Sequence, residues 1–280
     1  MRRFELILAT LLLVASVLLL LGLSGEGAAK TITVDDDGGA DYEKIQDAVD
    51  AAEDGDTIRI WAGNYSGAEI TKALSLVGNG TTQTMTKPGF VVRKSNSSVE
   101  ELCIHGAATA VFFNSSVDNV TIRNCSMINN DVAFFCSSNN ENVRIENCTI
   151  SECGLQGFSS FRLTESRIIR CSFENSGEHG VELREGSSNQ IKDCTFTSNR
   201  FGIFLDGPRK TLVNNCSFER NEIGIFDDGI ETEMDSNQFH NNTVNLRKTE
   251  KNEDTPGFES SLLPTVFLFA AVLIVFSRKH

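Results

Sequence analysis

Apolar and polar residues recur along the middle of the chain with a period of about 22 residues. The repeated motif is a polar or charged residue, a cysteine, a serine or threonine, and an apolar residue. It occurs five times and then once in a degenerate form, at Asn124–Met127, Asn147–Ile150, Arg170–Phe173, Asp193–Phe196, Asn215–Phe218 and Ser236–Phe239. Successive cysteines are 23, 23, 23 and 22 residues apart, and Cys103 precedes the first of them by 22. Self-similarity at a fixed period predicts a repeat architecture.

Other positions keep the same register, and we call each set of equivalent positions a column. Isoleucine or valine lies three residues before each cysteine, and an apolar residue lies two residues after it. A small or polar residue follows, and then a glycine opens an alternating run such as Gly180–Leu183 or Gly202–Leu205. Period-two segments separated by Asn, Gly or Ser predict short strands joined by turns. We therefore predict a coil of parallel strands, in which each repeat forms one rung and rungs stack ~4.8 Å apart.

The N-terminal part of the repeat region predicts a cap for this coil. Its apolar spacing indicates an amphipathic helix over residues 41–52, with the apolar positions Tyr42, Ile45, Ala48, Val49 and Ala52. An open coil exposes an apolar end and unpaired strand edges, which such a helix can cover. Strands are expected to follow at Thr57–Trp61 and Leu74–Val77. A leucine-rich repeat is disfavoured because the units lack a leucine ladder and a helical return.

Residues 31–80 resemble the opening of the pectate-lyase-like right-handed parallel β-helix superfamily. The matching features are the helix pattern above, Asp54–Thr57, Gly63–Tyr65 and Leu74–Gly78. The later units resemble the rungs of NosD-type and carbohydrate-binding β-helices. The resemblance implies an all-β, right-handed parallel β-helix over residues 30–246 and an association with polysaccharides, but it does not by itself imply a reaction.

Two dense apolar blocks lie at the ends of the chain. Arg2 and Arg3, the apolar run 6–23 and the small residues 27–29 are typical of a secretory signal over residues 1–29, with an uncleaved signal anchor as the alternative. Residues 247–258 form a charged linker, and residues 259–280 contain an apolar run, 262–276, followed by Arg278 and Lys279. The run is short for a membrane-spanning helix, which needs ~20 residues.

The C-terminal segment resembles the PGF-CTERM sorting signal of archaeal surface proteins. The resemblance rests on Pro256, Gly257 and Phe258, on the apolar run and on the closing basic residues. It implies removal of the segment by an archaeosortase-type enzyme and attachment of the protein to membrane lipid. An ordinary membrane anchor in the bilayer is the alternative. Both alternatives predict an extracellular protein held at the cell surface.

The charge of the exported part narrows the range of partners. Residues 30–258 contain 35 of the 38 acidic and 21 of the 25 basic residues, which gives them a net charge of −14. This acidity argues against nucleic acid as a partner, because nucleic-acid binders present a basic surface. It instead favours cations, and Ca²⁺ is the cofactor that the acids can attract.

The cysteine column is interpreted as a stack of buried thiols. Parallel, in-register cysteines point the same way, which is poor geometry for a disulfide, and cysteine packs as a small apolar side chain. Cys136 and Cys153 lie off this column, so they can pair with each other or remain free. No cysteine or histidine spacing indicates a metal site, and the four scattered histidines do not support copper binding. Asp35–Asp37 is interpreted as a structural loop rather than a Ca²⁺ site.

Nine Asn-x-Ser/Thr sequons occur in the chain. We expect glycosylation at the sites outside the cysteine motif, namely Asn64, Asn79, Asn96, Asn114 and Asn241. At Asn124, Asn147 and Asn215 the sequon has a second explanation, because stacked asparagine side chains at a rung corner can hydrogen-bond along the coil.

One face of the coil carries the candidate binding residues. In the run after Gly180, Val181 and Leu183 are predicted to point inward, so that Glu182 and Arg184 face outward. Adding the equivalent positions of neighbouring rungs and nearby residues gives a ligand-binding set: Arg162, His179, Glu182, Arg184, Phe204, Asp206, Phe226 and Asp228. Aromatic rings can stack on sugars, while acids and arginines hold hydroxyl groups or a cation. The alternative is a solvated face without function.

Three functions remain open at this stage. The predicted function is binding of polysaccharide or surface-layer partners by a secreted, surface-anchored β-helix. A polysaccharide lyase, esterase or epimerase on the same fold is the second, and a purely structural coat protein is the third. The enzyme hypothesis requires that Glu182, Arg184, Asp206 and Asp228 converge on one side of the rungs. No catalytic residue is assigned, because no lyase or esterase signature matches residue by residue.

Overall fold

The computed structural model describes residues 28–249 of the 280-residue chain. These residues form a parallel β-helix of three sheets, as the sequence predicts, and each rung contributes one strand to each sheet in turn. Strands are numbered β1–β29 in chain order. The predicted signal, the Pro256–Phe258 motif and the apolar run 262–276 lie outside the described residues. Within residues 28–249 no helix is long and apolar enough to cross a membrane.

Sheets A and B consist of short strands. Sheet A contains Thr31–Val34 (β1), Thr57–Ile60 (β2), Ser75–Val77 (β5), Ser98–Glu100 (β8), Thr121–Arg123 (β11), Arg144–Glu146 (β14), Arg167–Ile169 (β17), Gln190–Lys192 (β21), Leu212–Asn214 (β24) and Glu233–Asp235 (β27). Sheet B contains Gly63–Tyr65 (β3), Thr84–Thr86 (β6), Cys103–His105 (β9), Ser126–Ile128 (β12), Thr149–Ser151 (β15), Ser172–Glu174 (β18), Thr195–Thr197 (β22), Ser217–Glu219 (β25) and Gln238–His240 (β28).

Sheet C has the longer strands and carries the candidate site. Its members are Glu69–Ile70 (β4), Phe90–Val92 (β7), Thr109–Phe113 (β10), Val132–Glu141 (β13), Gln156–Thr164 (β16), His179–Arg184 (β19), Phe201–Arg209 (β23), Ile223–Ile230 (β26) and Val244–Lys248 (β29), with Gly186–Ser187 (β20) bridging β16 and β23. All pairings in the three sheets are parallel and follow the repeat register, as in Phe158↔Val181↔Ile203.

The corners between the short strands explain the asparagine-rich parts of the repeat. From residue 119 onward each rung has left-handed residues five positions apart, for example Asn119, Asn124 and Asn129, with φ of 56°, 53° and 54°. Asparagine adopts this region more readily than other residues that carry a Cβ. Of the four residues between two corners, the first and third point inward, as Cys125 and Met127 do. The cysteine is therefore the first inward side chain after a corner.

The core consists of columns that continue from rung to rung. In sheet B the rings of Phe173, Phe196, Phe218 and Phe239 stack with centroid separations of 5.2, 4.9 and 5.0 Å. Asn199 belongs to a polar column at the corner after sheet B. Its Nδ2 donates a hydrogen bond to the carbonyl oxygen of Phe173 at 3.0 Å. The buried asparagine side chains of this column are thus hydrogen-bonded along the coil.

The glycine column of sheet C is required by close packing. A Cβ at Gly180 would lie 2.6 Å from the carbonyl oxygen of Gly202 and 2.8 Å from the Phe196 ring. No side chain fits at those distances. The sheet C strand can therefore approach the stacked phenylalanine rings of sheet B only at a glycine. This contact fixes the position of the outward-facing residues that follow Gly180.

All eight cysteines are buried free thiols, including Cys136 and Cys153. Cys171 donates its S–H to the carbonyl oxygen of Ile169 at 3.4 Å, and Cys194 makes the equivalent bond to Lys192 at 3.2 Å. Burial raises the pKa of the Cys194 thiol, and its hydrogen bond with Cys171 acts in the same direction. The column therefore behaves as small, protonated core side chains.

The cap at the N-terminal end is a helix, α1, that spans Ile45–Ala51 and is shorter than the predicted 41–52. Residues before Ile45 are held by the first strand instead: Asp41 accepts hydrogen bonds from the backbone and hydroxyl of Thr33, and Tyr42 forms a β-bridge with Val34. Ile45, Ala48 and Val49 bury the apolar face of α1. Lys72 Nζ caps its C-terminal end by donating to the carbonyl oxygens of Val49, Asp50 and Ala52 at 3.0, 2.7 and 2.5 Å.

Candidate functional site

The outer face of sheet C carries one continuous row of side chains across six rungs. Strand register aligns its members in the order Phe112, Phe135, Ser159, Glu182, Phe204 and Phe226. The rings of Phe112 and Phe135 stack at 5.6 Å, and those of Phe204 and Phe226 stack at 4.8 Å. The row therefore has two half-buried aromatic pairs with a polar pair, Ser159 and Glu182, between them.

Glu182 lies at the centre of this row, and the structure corrects the expected solvent exposure of its side chain. The side chain lies on the outer face as expected, yet only 2% of the residue is exposed. Its carboxylate accepts a hydrogen bond from Ser159 Oγ at 2.6 Å and from Arg184 Nε at 2.8 Å, and Arg184 Nη2 lies 2.7 Å away. The carboxylate is buried because Arg184 on the same strand and Ser159 on the preceding rung contact it directly.

His179 lies beside Glu182 within an aromatic environment. Its imidazole packs on Phe204 at 4.8 Å and on Phe201 at 5.1 Å between ring centroids. Nδ1 is buried without a hydrogen-bond partner and lies 3.7 Å from Glu182 Oε1. Burial lowers the pKa of His179 below its usual value, although the nearby Glu182 charge opposes this shift. The imidazole is therefore neutral at neutral pH and presents an acceptor or donor inside the cluster.

A second outward row lies next to the first. Arg184, Asp206 and Asp228 are aligned on consecutive rungs, and the Asp228 carboxylate accepts a hydrogen bond from the Thr249 hydroxyl. Glu182, Arg184, Asp206 and Asp228 consequently lie on one face of sheet C rather than dispersed around the coil. Asp227 points inward at the column of Leu183 and Leu205 and is 5% exposed.

Arg162 lies apart from Glu182, towards the far end of the sheet C strands. It forms an ion pair with Glu185 at 2.5 Å, and both side chains are about half exposed. Beside it Phe161 is 47% exposed, and the two residues border an open depression of about 340 Å³ together with Ser116, Ser137, Ser138 and Asn139. An exposed ring next to hydroxyl and amide groups is suited to a sugar, whose two faces are apolar and whose rim is polar.

Five residues of this face were not predicted from the sequence: Phe112, Phe135, Ser159, Phe161 and Phe201. The column that aligns Glu182 with Phe204 also contains Ser159 one rung earlier, so this signal was available. Phe201 lies directly opposite His179 on the next rung, so the repeat register offered this signal as well, and only the packing of the two rings did not follow from the sequence. Phe161 was missed because β13 is irregular between Cys136 and Asn139, which shifts the register beside it.

The remaining predicted sites lie elsewhere on the coil. Asn64, Asn79, Asn96 and Asn241 are exposed, and Asn114 is half-buried beside Arg93. Asn147 donates to Asn124 at 3.2 Å and Asn215 donates to Asp193 at 2.7 Å, as expected for corner stacking. Among the described residues, Asp35, Asp36 and Asp37 form the one group of three potential metal ligands within reach of each other. Asp36 also accepts the backbone N–H of Asn64, consistent with a structural loop.

Comparison with known protein families gives one match. The family described as the periplasmic copper-binding protein NosD matches residues 49–257. Comparison with curated proteins gives no match.

Solved structures with the same fold include several carbohydrate-active proteins. The catalytic domain of a GH87 alpha-1,3-glucanase in complex with tetrasaccharides is 16% identical, with a TM-score of 0.59 over 65% of this chain and 40% of that one. The GH87 alpha-1,3-glucanase from Streptomyces thermodiastaticus strain HF3-3 is 13% identical, with a TM-score of 0.58 over 69% and 42%. The A-module of the Azotobacter vinelandii mannuronan C-5 epimerase AlgE6 is 15% identical, with a TM-score of 0.54 over 71% and 72%. The chain spans about two-fifths of the glucanase structures, and these likenesses show the fold alone.

Proposed function

The chain belongs to the NosD family, and from this premise we propose that it is an extracellular β-helix that binds a polysaccharide along the outer face of sheet C. The periplasmic location named for the family supports a site of action outside the cytoplasm. The sugar-active proteins among its structural neighbours are consistent with the ligand class, but the proposal depends on the face itself.

The observation that carries the proposal is the row from Phe112 to Phe226. Its two stacked aromatic pairs flank Glu182, whose carboxylate is fixed by Ser159 and Arg184. Successive rungs are ~4.8 Å apart. A sugar ring has about the same length, so one ring spans one to two rungs. A glycan lying across the rungs therefore meets rings at both ends and polar groups in the middle. Rigid strands hold these groups in place, which lowers the entropic cost of binding.

Copper binding, which the family's description names, is not part of this proposal. Copper favours imidazole or thiolate and thioether ligands. Among the described residues, His105 and His240 lie on the same column of sheet B six rungs apart, and His179 lies on sheet C. The thiols are buried, and burial raises the pKa of Cys136 and Cys194. The Asp35–Asp37 group offers only oxygen ligands, so these residues do not fit copper.

The proposal is tested by truncating the aromatic pair beside Glu182. We expect Phe204→Ala and Phe226→Ala each to weaken glycan binding by roughly 3- to 10-fold, since an aromatic contact of this kind contributes ~0.5–1.5 kcal/mol. The matched control is Ile128→Ala, which removes an exposed apolar side chain from sheet B. Isothermal titration calorimetry with the bound polysaccharide measures the three affinities. Equal glycan affinities in all three variants would mean that the glycan does not bind at Phe204 and Phe226.

A polysaccharide-active enzyme is the second candidate. It is favoured by one observation, namely that Arg184, Asp206 and Asp228 line up beside Glu182 on a single face. Two carboxylates on the same side of a bound glycan are the minimum that most sugar chemistry requires. The same titration samples, incubated and analysed for shortened or modified chains, distinguish turnover from binding.

We further propose that the C-terminal segment is a sorting signal. The proposal is supported by Pro256, Gly257 and Phe258, by the apolar run 262–276 and by the closing basic residues Arg278 and Lys279. An archaeosortase-type enzyme would then remove the segment and leave the β-helix attached to lipid on the cell surface.

Mass spectrometry of the protein isolated from the native cell surface checks this anchor. We expect the mature chain to lack residues 262–276 and to carry a lipid near the Pro-Gly-Phe motif. A mature chain that retains peptides from 262–276 would contradict the sorting signal and leave an ordinary bilayer anchor. Binding of glycan by sheet C does not depend on this outcome.

A further inference from the structure

The last rung of the coil ends in exposed edges. Strands β27, β28 and β29 are the terminal members of sheets A, B and C, and no other strand among residues 28–249 pairs with their outer edges. At the opposite end of the coil, by contrast, helix α1 covers the core, and Lys72 caps the C-terminal end of that helix. Unpaired edges of this kind attract further strands, so proteins either cover them or use them for association.

The core columns also end at this surface. In the preceding rung Val213, Phe218 and Ile225 are fully buried. Their partners in the last rung are Met234 and Phe239, which are only partly buried, and Leu246, which is 41% exposed. The end therefore combines three unpaired edges with three apolar side chains, one from each sheet, and we call it the C-terminal end surface.

The sequence that follows lacks the pattern of another rung. The next inward position of sheet A would fall 21 or 22 residues after Met234, at Thr255 or Pro256, and proline cannot donate to a strand ladder. Residues 250–255 are charged or polar, so they lack the apolar side chains that an inward column needs. A partner chain can cover this surface by pairing with its edges.

We propose that the C-terminal end surface binds the same surface of a second copy of this chain about a two-fold axis. A two-fold axis through the edge of sheet B reverses the strand direction, so the two last rungs pair as antiparallel strands. Sheet B then meets sheet B, while sheet A of each copy meets sheet C of the other. Such an isologous contact closes after two copies and leaves no exposed edge.

The residues at the edges match this arrangement. Setting Met234 opposite Leu246 of the second copy places two inward apolar side chains together. The same register sets Glu233 opposite Arg247, so that opposite charges face each other twice in the dimer. On the axis Phe239 meets Phe239, which extends the phenylalanine stack of sheet B across the contact, and Gln238 meets His240. No pair in this register sets two like charges opposite each other.

Sedimentation equilibrium of the full-length chain in a mild detergent tests the proposal. We expect a dimer that Arg247→Glu weakens at least tenfold, because the change creates two like-charge pairs. Glu233→Arg should have the same effect, and the double variant Glu233→Arg/Arg247→Glu should restore the dimer. Arg167→Glu makes the same charge reversal on sheet A three rungs away and should leave association unchanged. Circular dichroism confirms that each variant retains its strands.

Three results would overturn the proposal. The first is a monomer at every concentration tested. The second is a dimer that neither Arg247→Glu nor Glu233→Arg weakens, which would assign association to the apolar segment 262–276. The third is failure of the double variant to restore a dimer that both single variants disrupt, since the two charges would then not face each other. The proposal does not rest on glycan binding by sheet C.

Discussion

Replacing Phe196 by alanine is expected to lower the free energy of unfolding by about 4 kcal/mol, the range found for fully buried phenylalanines. The Phe196 ring lies between Phe173 and Phe218 with centroid separations of 5.2 and 4.9 Å and is fully buried. Its removal leaves a cavity that rigid rungs above and below cannot fill. Urea unfolding followed by circular dichroism measures the loss, and Phe196→Leu, which fills most of the volume, should recover more than half of it.

Phe161→Ala is the matched control for this prediction. It removes the same ring from the outer face of sheet C, where the residue is 47% exposed. We expect a loss below about 1 kcal/mol, because little apolar surface returns to water. Similar losses for Phe161→Ala and Phe196→Ala would mean that the phenylalanine column does not form the core described above.

Replacing Arg184 by alanine is expected to lower the free energy of unfolding by about 2–3 kcal/mol and to abolish measurable glycan binding. The change removes two contacts of 2.7 and 2.8 Å from a carboxylate whose side chain is 3% exposed. Only Ser159 then stabilises the buried Glu182 charge, and an uncompensated buried charge is strongly destabilising. The value lies below the full range for buried pairs because Arg184 itself is 32% exposed. Urea unfolding and calorimetric titration measure the two effects.

Arg162→Ala removes the same side chain from an ion pair that is about half exposed on both sides. Exposed pairs contribute ~0–1 kcal/mol, so its stability should change little. The double variant Glu182→Gln/Arg184→Ala should be more stable than Arg184→Ala, because the amide carries no charge to bury. If Arg184→Ala and Arg162→Ala have the same effect on stability, Glu182 does not depend on Arg184.

The repeat columns made most of the fold predictable. The apolar residue two positions after each cysteine became the core column of sheet B, and the glycine before each alternating run became the close contact with that column. The corners were only partly visible, because asparagine marks many of their left-handed positions but Glu, Arg, Asp, Ser and Lys fill the others. The cap helix was predicted too long because Asp41 and Tyr42 bind the first strand, a contact between distant residues.

The outward-facing rows of the candidate site were predictable from the sequence, but the burial of the Glu182 carboxylate was not. Alternation along β19 placed Glu182 on the outer face, yet it could not show that Ser159 and Arg184 would enclose the carboxylate. Phe201 lies opposite His179 in the repeat register, but the packing of the two rings depends on rotamers in adjacent rungs. Local periodicity therefore determines which face a residue occupies, whereas its partners depend on the packing of neighbouring rungs.

Screening the folded full-length chain against a glycan array, with and without Ca²⁺, tests the central claim most directly. We expect the native chain to bind at least one polysaccharide, and the double variant Phe204→Ala/Phe226→Ala to lose that signal. A signal that requires Ca²⁺ would add a cation at the acids of sheet C. A blank array with a folded native chain, or a signal that the double variant retains in full, would contradict polysaccharide binding by sheet C.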